Sequence, residues 1–143
     1  MMRSVICAAA LLVASGCSGD PGVGSGGGVS FPEAAMVKVT TDGGALDIEV
    51  RTAPDQPPSR GLVSVEYRLT DHGGTPLDGL ELAVEPYMPA MGHGASTRPT
   101  VSAQGAGRYV ITGVELFMPG TWELRTRITG PLEDSAAPSF EIP

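Results

Sequence analysis

Residues 88–94 read Met-Pro-Ala-Met-Gly-His-Gly, in a chain of 143 residues that holds only six methionines and two histidines. Thioether sulfur and imidazole nitrogen are soft or borderline ligands, a pairing that favours Cu(I) among biologically common metals. Met88, Met91 and His93 lie close enough along one loop to meet a single ion, with Pro89 and Gly92 shaping the loop and Gly94 letting the backbone turn away. Met118, in Phe-Met-Pro-Gly at residues 117–120, is the candidate fourth ligand. Zinc fits less well, because this end of the protein offers one histidine and no cysteine. Two other uses of the same residues stay open. Methionine is an adaptable filler that can plug the end of a β-sandwich while His93 bonds to its own loop. Met88 and Tyr87 can equally present an adaptable apolar surface to a protein partner, without metal.

The chain's beginning speaks to location. Arg3, an apolar run from Val5 to Val13 and small residues ending at Cys17 have the form of a secretory signal, too short to span a bilayer. Ala14-Ser15-Gly16-Cys17 resembles the bacterial lipobox, so residues 1–17 are expected to be a lipoprotein signal peptide, with Cys17 carrying the lipid that anchors the protein to a membrane. Ser18 after the cysteine favours the outer membrane, with the protein facing the periplasm. Residues 18–30, rich in Gly and Ser, read as a flexible tether, and residues 31–143 as one domain. Cys7 and Cys17 are the only cysteines. With one removed in the signal and the other acylated, the folded part has neither thiol nor disulfide, and a soft-metal site there must use Met and His.

A net charge of -7 and a pI of about 4.6 argue against nucleic acid or an anionic lipid surface as partner. There is no Ser/His/Asp arrangement, free catalytic cysteine, paired carboxylate motif or phosphate-cradling glycine loop, so no enzymatic activity is expected.

These ligands must be held by β-structure. Short β-branched runs punctuated by Gly, Pro and Asp recur after the tether, and no window sustains a helical period, which points to an all-β, antiparallel Ig-like sandwich. Strands are expected at residues 36–41, 45–52, 62–70, 80–85, 100–103, 108–116, 121–129 and 139–142. In Trp-Glu-Leu-Arg-Thr-Arg-Ile (122–128), Trp122, Leu124 and Ile128 fit a buried face, but an interruption is expected before Arg125 and Arg127 can share the face of Glu123. Reversing the chain at each turn places 88–94, 117–120 and the 53–59 loop at one end of the sandwich. His72 and the 104–107 turn fall at the other, where His72 reads as an exposed hairpin residue and Asp71 and Asp78 lack the spacing of a calcium loop.

Taken together, the run from about Pro57 to Pro143 resembles the YtkA-like domain, a family related to FixH. The similarity lies in Gly-Leu-Val-Ser-Val-Glu-Tyr-Arg-Leu (61–69), Met-Pro-Ala-Met-Gly-His-Gly, Gly-Arg-Tyr (107–109) and Phe-Met-Pro-Gly-Thr-Trp-Glu-Leu (117–124). The resemblance implies an Ig-like sandwich whose motif residues are Met88, Pro89, Met91, Gly92 and His93, with Met118, Pro119, Gly120 and Trp122. It also implies a secreted, lipid-anchored or membrane-tethered protein, some members of the family occurring with copper handling or with assembly of copper-containing respiratory oxidases. FixH itself is anchored by a transmembrane helix, unlike the lipid anchor expected here. The combined expectation is a cell-envelope lipoprotein that binds Cu(I) as a chaperone or buffer, with a copper protein as its partner.

Overall fold

A computed structural model of the chain describes residues 28–143. The signal segment, Cys17 and most of the expected tether lie outside the described residues. The described chain folds into an all-β sandwich of ten strands: β1 (Val37–Thr40), β2 (Asp47–Ala53), β3 (Gly61–Thr70), β4 (Glu81–Met88), β5 (His93–Gly94), β6 (Thr100–Gly105), β7 (Arg108–Leu116), β8 (Gly120–Thr129), β9 (Asp134–Ala136) and β10 (Ser139–Ile142). One sheet has the order β1-β2-β3-β7-β6 and the other β10-β8-β4-β5, with β9 also on β8, and every pairing is antiparallel.

All eight expected strands form, and two short ones, β5 and β9, join them. Alternation decides which side chains enter the core. Ile48 and Val50 on β2, Val63, Val65, Tyr67 and Leu69 on β3, and Trp122, Leu124 and Ile128 on β8 are all buried. The two inner faces close over one another as a single apolar cluster. On β8 the alternation runs without the expected interruption: Thr126 takes the inward position between Leu124 and Ile128, and Arg125 and Arg127 share the outer side with Glu123. Thr126 is tolerated there because its hydroxyl bonds to Tyr67 across the sheets at 3.0 Å and donates to Leu124 O at 3.0 Å.

One strand does break period. On β7, Tyr109 and Ile111 point inward and so do Val114 and Leu116, with two residues rather than one between the middle pair. The register with β3 shifts there, and Gly113 has φ +75°, a left-handed conformation that glycine adopts without a Cβ clash. This bulge resets the strand so that Leu116 closes the core.

The register fixes the ends. Gly61 pairs with Leu116, and Tyr87 with Glu123, so the 54–60 loop, the β4–β5 turn and the β7–β8 turn share one end. Leu69 N donates to Gly107 O at the other, where the 71–75 turn also lies. The expected alternation of chain direction therefore holds, although β3 pairs with β7 and β4 with β8 rather than each with its successor.

Candidate functional site

Met88 is the last residue of β4 and not a loop residue, contrary to the expectation from its Pro and Gly neighbours. Strand β4 runs on through Pro86 and Tyr87 because β8 supplies partners up to Glu123. A tight turn follows: Met91 N and Gly92 N both bond Met88 O, at 3.1 and 3.0 Å, and Gly92 takes φ +68° to bring the chain back. His93 then pairs with Met88 and Gly94 with Tyr87. Gly94 is held close to β4, since a Cβ there would lie 2.9 Å from Glu85 Oε1 and 3.0 Å from Pro86 O.

The four candidate ligands differ in accessibility. Met88 is buried, at 4% exposure, and belongs to the core; Met91 is 52% exposed on the turn, Met118 36%, and His93 is exposed. Cross-strand partners in an antiparallel pair project to the same side of the sheet, so Met88 and His93 share a face. The β7–β8 turn meets them through Gly120. A Cβ on that glycine would lie 2.7 Å from Met88 Cε, so the buried methionine's methyl rests where a larger residue would stand. Trp122, itself buried, donates from Nε1 to Met118 O at 2.9 Å and fixes the turn that carries Met118. The structure thus brings Met88 and His93 into register, sets Met118 two residues from the contact with Met88, and leaves Met91 outward on the turn.

His93 Nδ1 lies 3.2 Å from Gly94 O. In a neutral imidazole, a proton on Nδ1 donated to that carbonyl leaves the lone pair on Nε2, the arrangement second partners impose on metal-binding histidines. Thioether sulfur and imidazole nitrogen are donors of the softness that Cu(I) prefers; of the four, Met88 and His93 are paired across strands, Met118 lies two residues from the Met88 contact, and Met91 is exposed on the turn. Among the described residues no three His, Cys, Asp or Glu side chains cluster to hold a harder ion.

The opposite end is built from turn chemistry. His72 is exposed as expected, but it is also bonded: Nδ1 lies 3.1 Å from Asp47 Oδ2 and Nε2 2.5 Å from Gly44 O. Those acceptors, the Gly44 carbonyl first and then Asp47, raise its pKa above the usual histidine value. Asp71 accepts from Gly73 N and Thr75 N, and Asp78 from Gly107 N, which commits both carboxylates to backbone turns.

Reading the sequence for chemistry also missed the arginines. On the outer side of the larger sheet Arg51, Glu49, Glu66 and Arg108 form a network, with Arg108 Nη2 2.6 Å from Glu66 and Arg51 Nη2 2.7 Å from Glu49. On the smaller sheet Arg125 stacks over the Tyr87 ring, 3.4 Å from its centroid, and so covers part of the aromatic surface that a protein partner would use. Their outward positions in alternating strands were the available signal.

No curated protein and no solved structure matches the chain. A family model described as YtkA-like does match, over residues 33–127, a span that takes in both methionine motifs and most of β8. The chain belongs to the YtkA-like family.

Proposed function

We propose that this protein is a non-enzymatic, cell-envelope lipoprotein that holds Cu(I) at Met88, Met91, His93 and Met118 as a copper chaperone or buffer. Membership in the YtkA-like family suggests a cell-envelope protein. Lipid attachment at Cys17 would keep it on a membrane face, periplasm-facing and with the outer membrane favoured. The observation that carries the metal reading is the pairing of Met88 with His93 beside the turn that bears Met118. Soft, uncharged ligands of this kind suit an ion that must be passed on, because thioethers bind Cu(I) without the strong charge pairing of thiolates. Met91 and Met118, both exposed, are the ligands a receiving copper protein reaches first.

Metal content and affinity test it. The purified protein is loaded with Cu(I) and with Cu(II) separately, and Cu(I) is then competed with a chelator. One Cu(I) per chain is expected to be retained, with affinity falling at least about tenfold in the Met91→Ala, His93→Ala double variant, about 1.4 kcal/mol. Unchanged affinity in that variant would sink the assignment.

A metal-independent interaction module is the second reading, favoured by the exposed apolar side chains at this end, Leu62, Met91, Phe117 and Met118. A complex that survives strong copper chelation and is lost on Phe117→Ala would support it over the first.

A further inference from the structure

Six of the eight basic side chains of residues 28–143 lie in strands, on the outer sides of the two sheets, and Arg98 lies in the loop before β6. On the larger sheet Lys38 and Arg51 are neutralised by Glu49, and Arg108 by Glu66, while Arg68 beside them has no carboxylate within ion-pair distance among the described residues. On the smaller sheet an open groove of about 760 Å³ is lined by Arg98, Arg125 and Arg127. Arg125 is engaged by Glu123 at 3.3 Å and by the Tyr87 ring. Among the described residues, neither Arg98 nor Arg127 has a carboxylate within ion-pair distance.

The register explains why they are free. Arg127 sits in the middle strand between Ala83 on β4 and Ser135 on β9, two small residues that offer it no counter-charge. Glu85 stands opposite Arg125, where opposite charges usually pair across strands. Its carboxylate instead turns toward Gly94, close to where a Cβ would be. Asp42, at the β9 side of the groove, accepts from Ser135 Oγ at 2.7 Å and marks the end that an anion avoids.

We propose that this groove binds a small phosphate-bearing molecule, its phosphate held by Arg98 and Arg127 and its body lying over Ala83 and Ala137. Guanidinium groups match phosphate oxygens two at a time, and two of them without carboxylate partners lining one open groove offer that chemistry to a phosphate. Size follows from the overall charge of -7. A polyanion or an anionic bilayer meets the whole repulsive field, whereas a small anion inside the groove senses mainly the nearest charges, screened from the rest beyond about 8 Å at physiological salt. The proposal does not rest on the copper reading.

The purified full chain is titrated with inorganic phosphate and with glycerol 3-phosphate at low salt, followed by calorimetry and by amide shifts of β4, β8 and β9. Saturable binding is expected, weakening with added salt and falling at least tenfold in Arg98→Ala with Arg127→Ala, while the variant's melting temperature stays that of the parent. Absence of binding, or unchanged affinity in the variant, overturns the proposal. So does retention on phosphatidylglycerol vesicles, but not on phosphatidylcholine, by a protein that ignores both free phosphates, since the groove then reads a lipid surface.

Discussion

Gly120 meets two demands that only a glycine can meet together. Its φ of +124° lies where side chains are strained, and its missing Cβ leaves room for the Met88 methyl. Gly120→Ala should therefore cost about 1–3 kcal/mol from backbone strain, with overpacking against Met88 added. Truncating the partner tests the same contact from the other side. Met88→Ala removes a core side chain and should cost about 2–5 kcal/mol, whereas Met91→Ala, on an exposed turn, should stay within about 0.5 kcal/mol. Chemical denaturation separates the two, and equal losses would mean that the two side chains are packed alike, against their difference in burial. Met91→Ala is thus the variant in which a change of copper affinity can be read without unfolding. The roles were only partly legible from the residues. The motif marked Met88, Met91 and His93 as a group, but its Pro and Gly neighbours disguised Met88 as a loop residue, because burial is decided by β8 and Gly120, more than thirty positions away.

Elements were legible where they were long enough to alternate. Strand β7 was found to the residue, and β3 and β8 to within one position, since each carries a full run of inward apolar positions. Strand β4 was expected to stop at Glu85 but runs on to Met88; Pro86 lacks an N–H, and a position without a full ladder partner on one side tolerates it. On that side Pro86 needs only its carbonyl, which accepts from Ala95 N at 2.9 Å. Strands β5 and β9, of two and three residues, are too short to have a period and exist because β4 and β8 offer partners. Asp134 at the start of β9 has a consequence for pH. It accepts from Thr41 Oγ1 at 2.6 Å, from Gly43 N at 2.7 Å and from Ala45 N, so a strand of one sheet holds the β1–β2 turn of the other. The Thr41 hydroxyl first, then these backbone donors, hold its pKa at about 2, below the ordinary 3.8. A depressed carboxylate stabilises the fold fully above the unfolded value, and that contribution fades as pH falls from about 4 toward 2. His72 acts in the opposite sense. Its raised pKa gives a contribution complete below the ordinary 6.5 and lost as pH rises through the higher folded value. Melting temperature against pH should accordingly fall on both sides, with Asp134→Asn flattening the acid limb and His72→Ala the neutral-to-alkaline one. Limbs unchanged by these variants would exclude both turns as the titrating elements.

The molecule as a whole depends on two sheets choosing one alignment, and apolar side chains alone leave that choice loose. A single polar contact in the core narrows it. Tyr67 of β3 and Thr126 of β8 are buried in facing sheets with their oxygens 3.0 Å apart. Thr126 has one hydroxyl proton, and it goes to Leu124 O; Tyr67 must then be the donor across the gap. Burial raises the phenol's pKa out of the normal tyrosine range, so this donor stays protonated as long as the sandwich is closed. The sequence concealed the arrangement, because a threonine between Leu124 and Ile128 looks like a break in an apolar face until its partner on the other sheet is known. The direction of the bond makes the two substitutions unequal. Tyr67→Phe deletes the donor and leaves Thr126 its bond to Leu124, which should cost about 1 kcal/mol. Thr126→Val keeps the threonine's shape but leaves the buried Tyr67 hydroxyl with no acceptor, at about 1–3 kcal/mol. Removing both groups should then destabilise less than the sum of the two, because the orphaned donor is gone. Urea unfolding of the four proteins measures the cycle. Strict additivity would mean that the hydroxyls do not couple the sheets, and that side-chain packing alone sets their alignment.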